Sequence, residues 1–396
     1  MTDPHTQPLD IFLVAGEASG DQLGGPLMAA LRAQLGGRVR FRGVGGPRMG
    51  AEGLASHFPM EDLTVMGLSA VFARLPLIWR RLRETARSIA AVPPDLLILI
   101  DSPDFNQRVA KRVRRALPNL PIVKYVSPTI WVWRPGRAQA MRPNFDHVLA
   151  LFPFEPEAHA RLGGPPCTYV GHPLLERLSE LRPSAEEQKA RDGERPLVLV
   201  LPGSRRSEIH RLASVFGDTV ARIAAARPAT EFMLPTLPPM LLQAGAAIKE
   251  WAIKPRIVAT DAEKYAAFRR ARAALAASGT VTLELALAQV PTVAGYKVSA
   301  LEAPILRRAI RSASTILPNL ILHENVVPEF HQENCTAEKL AAALAPLLEE
   351  GPARRRQLDS FARLESAMAI GGEHPSERAA RVALEVYEAK TGRRVG

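Results

Sequence analysis

Short, mainly apolar runs recur along this chain, most of them without strict alternation, each followed by a longer stretch with helical spacing. Residues 11–15, 40–44, 96–100, 122–126, 147–150 and 168–170 form one series. Residues 197–201, 231–234, 256–258, 273–276 and 292–294 form a second. A strand apolar at every position must be covered on both faces. Helices between successive strands supply that cover, so the pattern predicts α/β architecture with parallel, doubly wound sheets. The polar segment 176–195, rich in Glu, Arg and Lys, separates the two series. We therefore expect one domain over 1–175, a second over 176–351, and a helical tail over 352–396, broken at Gly371-Gly372. The tail is expected to pack on the N-terminal domain or on a partner subunit.

Composition narrows the setting. With 47% apolar residues the chain can fill cores of this kind. Cys167 and Cys335 are its only cysteines and lie far apart, which fits neither a disulfide framework nor a metal cluster and suggests a reducing cytoplasm. The first ten residues are polar, and the apolar run 11–15 leads straight into Gly16 and Glu17, as a first strand does and a signal peptide does not. No apolar stretch approaches the roughly 18–20 residues that span a bilayer, so a soluble or peripheral protein is expected. The net charge of +11 suits nucleic acid, an anionic membrane or phosphorylated small molecules. No aromatic RNA-binding signature or helix-turn-helix cue accompanies it, and nucleic acid is not expected as a partner.

Ligands of doubly wound sheets sit beyond the carboxyl ends of the strands. The first strand ends in "AGEASGD", residues 15–21, where Glu17 and Ser19 lie between two glycines. That turn reads either as a capped helix start, with Ser19 or Asp21 as the cap, or as a pocket for hydroxyl groups. The third strand ends in "DSPDFN", residues 101–106. One aspartate is expected to cap the following helix; the other, Asp101 by preference, is left to accept a proton. The fourth strand leads into "SPTIWVWRPGR", 127–137, whose tryptophans and arginines suit a sugar face or a lipid phosphate, and equally packing between domains.

In the second half, "LPGSRRSEI", 201–209, ends an apolar run in Gly203, Ser204 and Arg205. Backbone N–H groups at such a turn, with a guanidinium beside them, are suited to a phosphate. "ASGTVTLELAL", 277–287, repeats the device with Ser278, Gly279 and Thr280, and its Glu284 is placed to accept from a ribose. Two such turns in one domain indicate a nucleotide diphosphate, and no P-loop pattern is present. The segment 63–89 is different in kind. Val65, Met66, Leu68, Phe72 and Trp79 stand among Arg74, Arg80, Arg81, Arg83 and Arg87, with Pro76 expected to break any long helix. It reads either as a core helix with a basic end or as an interfacial segment. A shorter segment of the same character covers 301–311.

Taken together, "LVAGEASGD", "GVGGPRMGAEG", "IDSPDFN", "YVSPTIWVW", "FPFE", "YVGHPL", "LPGSR", "ASGTVTLE", "VAGYK", "LPNLI" and "PEFHQENC" run in order over nearly the whole chain. In this the chain resembles the lipid-A-disaccharide synthase family. The resemblance implies two Rossmann-like domains facing across a cleft, the GT-B glycosyltransferase type. It implies an inverting transfer from UDP-2,3-diacylglucosamine to 2,3-diacylglucosamine 1-phosphate, giving a β-1',6-linked lipid A disaccharide 1-phosphate and UDP. It places Asp101 as the base and Arg205 at the departing diphosphate. Gly203, Ser204, Glu208, Ser278, Gly279, Thr280, Glu284, Asn319 and Gln332 become neighbours of the nucleotide sugar. Glu17 and Ser19 fall to the acceptor, with Val65, Met66, Leu68, Phe72 and Trp79 at an anionic membrane surface. No metal or other cofactor is expected, a homodimer is left open, and the place of action is the inner face of the inner membrane, as a peripheral protein. Arg206 and His323 stand where relatives commonly carry smaller residues. The rival readings are a UDP-sugar 2-epimerase on a similar fold and a non-catalytic basic binding protein.

Overall fold

The computed structural model describes residues 7–63, 68–132, 134–299 and 314–395. The chain divides into two compact units, Met1–Pro173 with Ile370–Gly396, and Leu174–Ala369.

The first unit is built on a parallel sheet of β1 (Leu9–Ala15), β2 (Val39–Val44), β3 (Leu96–Ile100), β4 (Ile122–Tyr125), β5 (His147–Ala150) and β6 (Cys167–Tyr169), in the order β2-β1-β3-β4-β5-β6. Side chains alternate across it. Ile11, Leu13 and Ala15 enter one core with helix α1 (Ala18–Gln34), while Phe12 and Val14 enter another on the opposite face. That second core takes Leu82, Ala86 and Ile89 from helix α3 and Val109 and Val113 from helix α4. In chain order these helices are α2 (Pro47–Ala51), α3 (Leu68–Ala91) and α4 (Pro103–Ala116).

Pro76, expected to break the segment, lies inside α3. A proline removes one backbone donor and costs about 3 kcal/mol in a helix interior. The burial of Leu82, Ala86 and Ile89 further along offsets it. From Leu82 onward one face of the helix packs into the core, while Trp79, Arg80, Arg83 and Arg87 stay exposed. Val65 and Met66 lie outside the described residues, as does the segment 301–311.

The second unit repeats the plan with β7 (Leu197–Leu201), β8 (Glu231–Pro235), β9 (Arg256–Val258), β10 (Ala273–Ala277), β11 (Thr292–Tyr296) and β12 (Glu329–His331), all parallel, in the order β12-β11-β10-β7-β8-β9. The expected tail is divided between the units. Helix Pro352–Met368 buries Phe361, Leu364 and Met368 and belongs to the second unit. After Gly371 and Gly372, both at positive φ, helix Pro375–Thr391 packs along α1 in the first unit, through Ala379, Ala380 and Ala383. The chain passes from the second unit to the first between Ala369 and Ile370, just before this diglycine, which lets the backbone turn without the steric cost a Cβ would carry.

Candidate active site

In each sheet the strand order reverses once, between β1 and β3 in the first and between β7 and β10 in the second. Loops leaving adjacent strands diverge at such a point and open a crevice. Glu17, Ser19 and Asp101 fall on the first of these reversals, and Gly203, Ser204, Arg205, Ser278, Gly279 and Thr280 on the second.

In the first unit the loops after β1 and β3 meet. Ser19, in the first turn of α1, donates its hydroxyl to Asp101 Oδ2 at 2.6 Å. Glu17 is the exposed N-cap residue of α1, with no cap bond from its side chain. Gly16 is required, since a Cβ there would stand 2.4 Å from Ser102 Oγ. Asp101 and Ser102 both have left-handed backbone, φ +49° and +39°. Asn106 clamps the turn, its amide donating to the carbonyls of Ile100 at 2.9 Å and Asp101 at 2.8 Å.

The expected division of labour between the aspartates is corrected here. Neither caps α4. Ser102 holds the N-cap position and makes no side-chain cap bond, while Asp104 pairs with Arg137 at 2.7 Å. Asp21 has a different task again. It accepts from the backbone N–H groups of Gly46, Arg48 and Met49, so it caps α2 rather than its own helix. Trp131 packs edge-on against Phe152 and Phe154, which are themselves stacked. This packing lies within the first unit. Trp133 is outside the described residues.

Lys124, which sequence reasoning passed over, lies beneath this crevice. It is buried in β4, and its ammonium donates to the carbonyls of Asp101, Leu99 and Tyr125. Burial pushes it down to about 8, against the pull of Asp101 and Glu17.

In the second unit the loops after β7 and β10 border a cavity of about 370 Å³. Gly203, Ser204, Arg205, Glu208, Ser278, Gly279, Thr280 and Glu284 all line it. The β7 loop is held by Glu208, whose Oε2 accepts from the backbone N–H groups of Ser204 at 3.0 Å and Arg205 at 3.2 Å. A carboxylate thus already occupies the donors expected to meet a phosphate. Arg205 remains largely exposed, touching Glu208 Oε1 through Nη1 at 3.1 Å. Gly203, at φ +122°, leaves no room for a Cβ, which would lie 2.5 Å from that of Glu208.

Across the cavity Ser278 shares a 3.0 Å hydrogen bond with Thr315, and Glu284 is ion-paired with Lys264. Lys264, Thr260 and Asp261 come from the loop and helix after β9, and they also line the cavity. The strand-end rule, applied to β9, would have found them. Asn319 and Gln332 are placed differently. The Asn319 amide is buried and spent on Val326, Val327 and neighbouring side chains. Gln332 accepts from the Val298 N–H at 2.8 Å. Neither lines the cavity. Arg206 opens the helix Arg206–Ala226, and His323 ends helix Leu317–Leu322 at φ +53°.

A sequence model of the family described as "Lipid-A-disaccharide synthetase" matches residues 11–382. The chain belongs to the lipid-A-disaccharide synthase family. A synthase of Rhodopseudomonas palustris strain HaA2 is 57% identical, over 95% of this chain and 96% of its own length. One from Nitrobacter hamburgensis is 56% identical, over 96% of each. Solved structures with the same fold are far more distant in sequence. A UDP-N-acetylglucosamine 2-epimerase from Listeria monocytogenes, described as putative, has TM-score 0.61 at 14% identity, with 98% of each chain covered. MurG of Acinetobacter baumannii has TM-score 0.56 at 13% identity, covering 96% of this chain and all of its own. These likenesses concern the fold alone: two Rossmann-like domains of the GT-B type, shared by glycosyltransferases and epimerases. Family membership makes this member a glycosyltransferase of lipid A biosynthesis.

Around Trp79 the same chain carries a second feature. Its ring is 41% exposed, with Arg108 and Arg112 beside it at 6.0 and 5.3 Å from the centroid. Arg80, Arg83 and Arg87 continue the basic face along α3. Leu68 and Phe72 belong to the first turns of this helix. No described helix is long and apolar enough to cross a membrane.

Proposed function

We propose that this protein transfers a 2,3-diacylglucosaminyl group from UDP-2,3-diacylglucosamine to the 6-hydroxyl of 2,3-diacylglucosamine 1-phosphate. The acceptor oxygen attacks the anomeric carbon, and the bond to UDP breaks with its electron pair leaving on the diphosphate. The acceptor proton passes to Asp101. The anomeric configuration inverts to β. What carries the reading is membership of the synthase family along nearly the whole chain. The placement of Asp101 and Arg205 at the two reversals of strand order agrees with it.

Ser19 orients the Asp101 carboxylate, and Glu17 stands beside the acceptor. Arg205 meets the negative charge that grows on the departing diphosphate, the kind of preorganised stabilisation that carries most weight in a transition state. Glu208 vacates or shares the β7 turn when the diphosphate arrives. Ser278, Gly279 and Thr280 border the sugar nucleotide, and Glu284 accepts from its ribose. Asn319 and Gln332 act by fixing the backbone around the pocket. The exposed Trp79 and the basic residues of α3, together with the apolar residues Val65, Met66, Leu68 and Phe72 that precede them in the sequence, are assigned to anionic lipid at the inner face of the inner membrane, where both acylated substrates reside.

The experiment is a detergent-micelle assay with both substrates, reading UDP release and disaccharide mass together. Wild type should give both products. Asp101→Asn should bind UDP normally and lose at least about a hundredfold in turnover, the usual scale for a missing general base. Neither product from folded, UDP-binding protein would refute the reading.

A further inference from the structure

A lysine in the middle of a parallel sheet needs a reason. Lys124 is only 2% exposed, and its neighbours across the ladder are Leu99 and Val148. Burying an ammonium costs several kcal/mol unless its hydrogens are taken up. A methionine of similar length would fill the space without that cost. The three hydrogens of Lys124 meet three backbone carbonyls, those of Leu99, Asp101 and Tyr125, so the charge is satisfied entirely by main chain.

Those carbonyls frame an unusual stretch of backbone. Asp101 and Ser102 are consecutive non-glycine residues at positive φ, and Val126, just beyond Tyr125, is a β-branched residue at φ +74°. Each such residue costs on the order of 1–3 kcal/mol and persists only when its surroundings impose it. Here the Asp101 N–H donates to the Tyr125 carbonyl at 2.9 Å. Lys124 donates to that same carbonyl and to the carbonyl of Asp101. The lysine therefore ties together both ends of the strained turn from inside the sheet.

We propose that Lys124 is a positioning residue for the Asp101 carboxylate: its buried ammonium fixes the left-handed Asp101–Ser102 turn and places a positive charge under Asp101 and Glu17. This deepens, and rests on, the reading of Asp101 as the base. The charged groups acting on Lys124 are Asp101, on the β3–α4 turn, and Glu17, on the β1–α1 turn. Both favour the ammonium, and burial opposes it. The ammonium is charged below about 8 and neutral above. Turnover should fall as pH rises through that value, while UDP binding, which belongs to the other compact unit, should not follow it.

The test measures kcat and KM in the micelle assay from pH 6.5 to 9.5 for wild type, Lys124→Met, Lys124→Arg and Asp101→Asn. UDP affinity and thermal unfolding serve as controls. Wild-type kcat should decline with a midpoint near 8. Lys124→Met should lose about a hundredfold in kcat, the scale of a misplaced catalytic group, with donor KM changed little and the alkaline decline gone. Lys124→Arg should recover part of the turnover and carry it past pH 9. A wild-type profile flat to pH 9.5, or Lys124→Met within twofold of wild type, overturns the proposal. If Lys124→Met does not fold, the wild-type profile and Lys124→Arg decide. An inactive Asp101→Asn beside a normal Lys124→Met removes Lys124 alone. A fully active Asp101→Asn removes the base assignment, and this proposal with it.

Discussion

Arg191 does not line the cavity of the second unit, yet that pocket depends on it. Its guanidinium is buried at 2% exposure and donates to four carbonyls: Phe268 at 2.9 Å, Arg269 and Gln289 at 3.0 Å, and Ala288 at 3.2 Å. These are the C-terminal ends of helices Asp261–Arg270 and Val281–Leu287, whose N-terminal ends supply Asp261, Lys264, Val281 and Glu284 to the cavity. Arg191→Met keeps most of the apolar stem and strands the four carbonyls. Hydrogen bonds to a charged group are worth about 1.5–3 kcal/mol each, so the gross loss is about 6–12 kcal/mol. Against this stands the hydration the guanidinium has already given up. Burial holds Arg191 down at about 10, a penalty on the order of 3 kcal/mol that the variant recovers. The difference is about 3–9 kcal/mol, and its lower part, about 3–5 kcal/mol, is the range seen when one partner of a buried charged cluster is removed and is the loss expected here. Urea titration of the full chain should show it, with thermal unfolding of this unit lowered by roughly 10 °C. UDP affinity, by calorimetry, should fall about tenfold as the two helix ends lose their common anchor. A loss below about 1 kcal/mol with unchanged UDP affinity would mean that the carbonyls find other partners, and the argument would fail.

Gly203→Ala forces a Cβ to within 2.5 Å of Glu208 Cβ at φ +122°; about 1–3 kcal/mol of strain should weaken UDP binding roughly 5- to 150-fold by calorimetry. Asp10 accepts from Arg40 and Arg42, both at 2.7 Å. Burial raises its pKa, but the hydrogen bonds from Arg42 and Arg40 outweigh that and hold it below the usual 3.8. Its contribution is therefore present above that value and lost as pH falls through the lower folded one, so Asp10→Asn should unfold about 1–3 kcal/mol more easily at pH 7 and about as easily as wild type in strong acid, by urea titration. Replacing Arg83 and Arg87 together with Ala should weaken flotation with anionic vesicles roughly thirtyfold, at about 1 kcal/mol per arginine, with UDP binding unchanged.

Much of the sheet architecture was legible because a fully covered strand has nothing but apolar residues to show. β3 and β7, buried at every position, begin and end where their apolar runs do. The edges are where the reading gave way. β1 starts two residues early because Asp10, a charge that ought to end a buried strand, is neutralised by arginines on β2. β12 is a three-residue edge strand, "EFH", half-buried throughout, and leaves no apolar run to notice. Pro76 misled because local propensity ignores what the rest of a helix buries.

The candidate site divides along the same physical line. Asp101, Gly203, Arg205 and Ser278 were visible because each follows a strand directly, and the strand itself says where its end will be. Lys124, Lys264, Arg191 and the helix that Asp21 caps were not, although the same rule extended to β9 reaches Lys264. For the others, what matters is set by register and by contacts made far along the chain. Lys124 meets Asp101 only because β4 pairs with β3 in a register that sets Lys124 beside Leu99. Shifted by one residue, the lysine would face the other core. Glu208 shows the limit from the opposite side. Its position in the motif is plain, but its occupation of the turn's own N–H donors is a property of the folded loop. A charged residue inside an apolar strand is therefore best treated as a question about the neighbouring strand's end. In this chain the answer to that question at Lys124 lies directly under the residue assigned the proton.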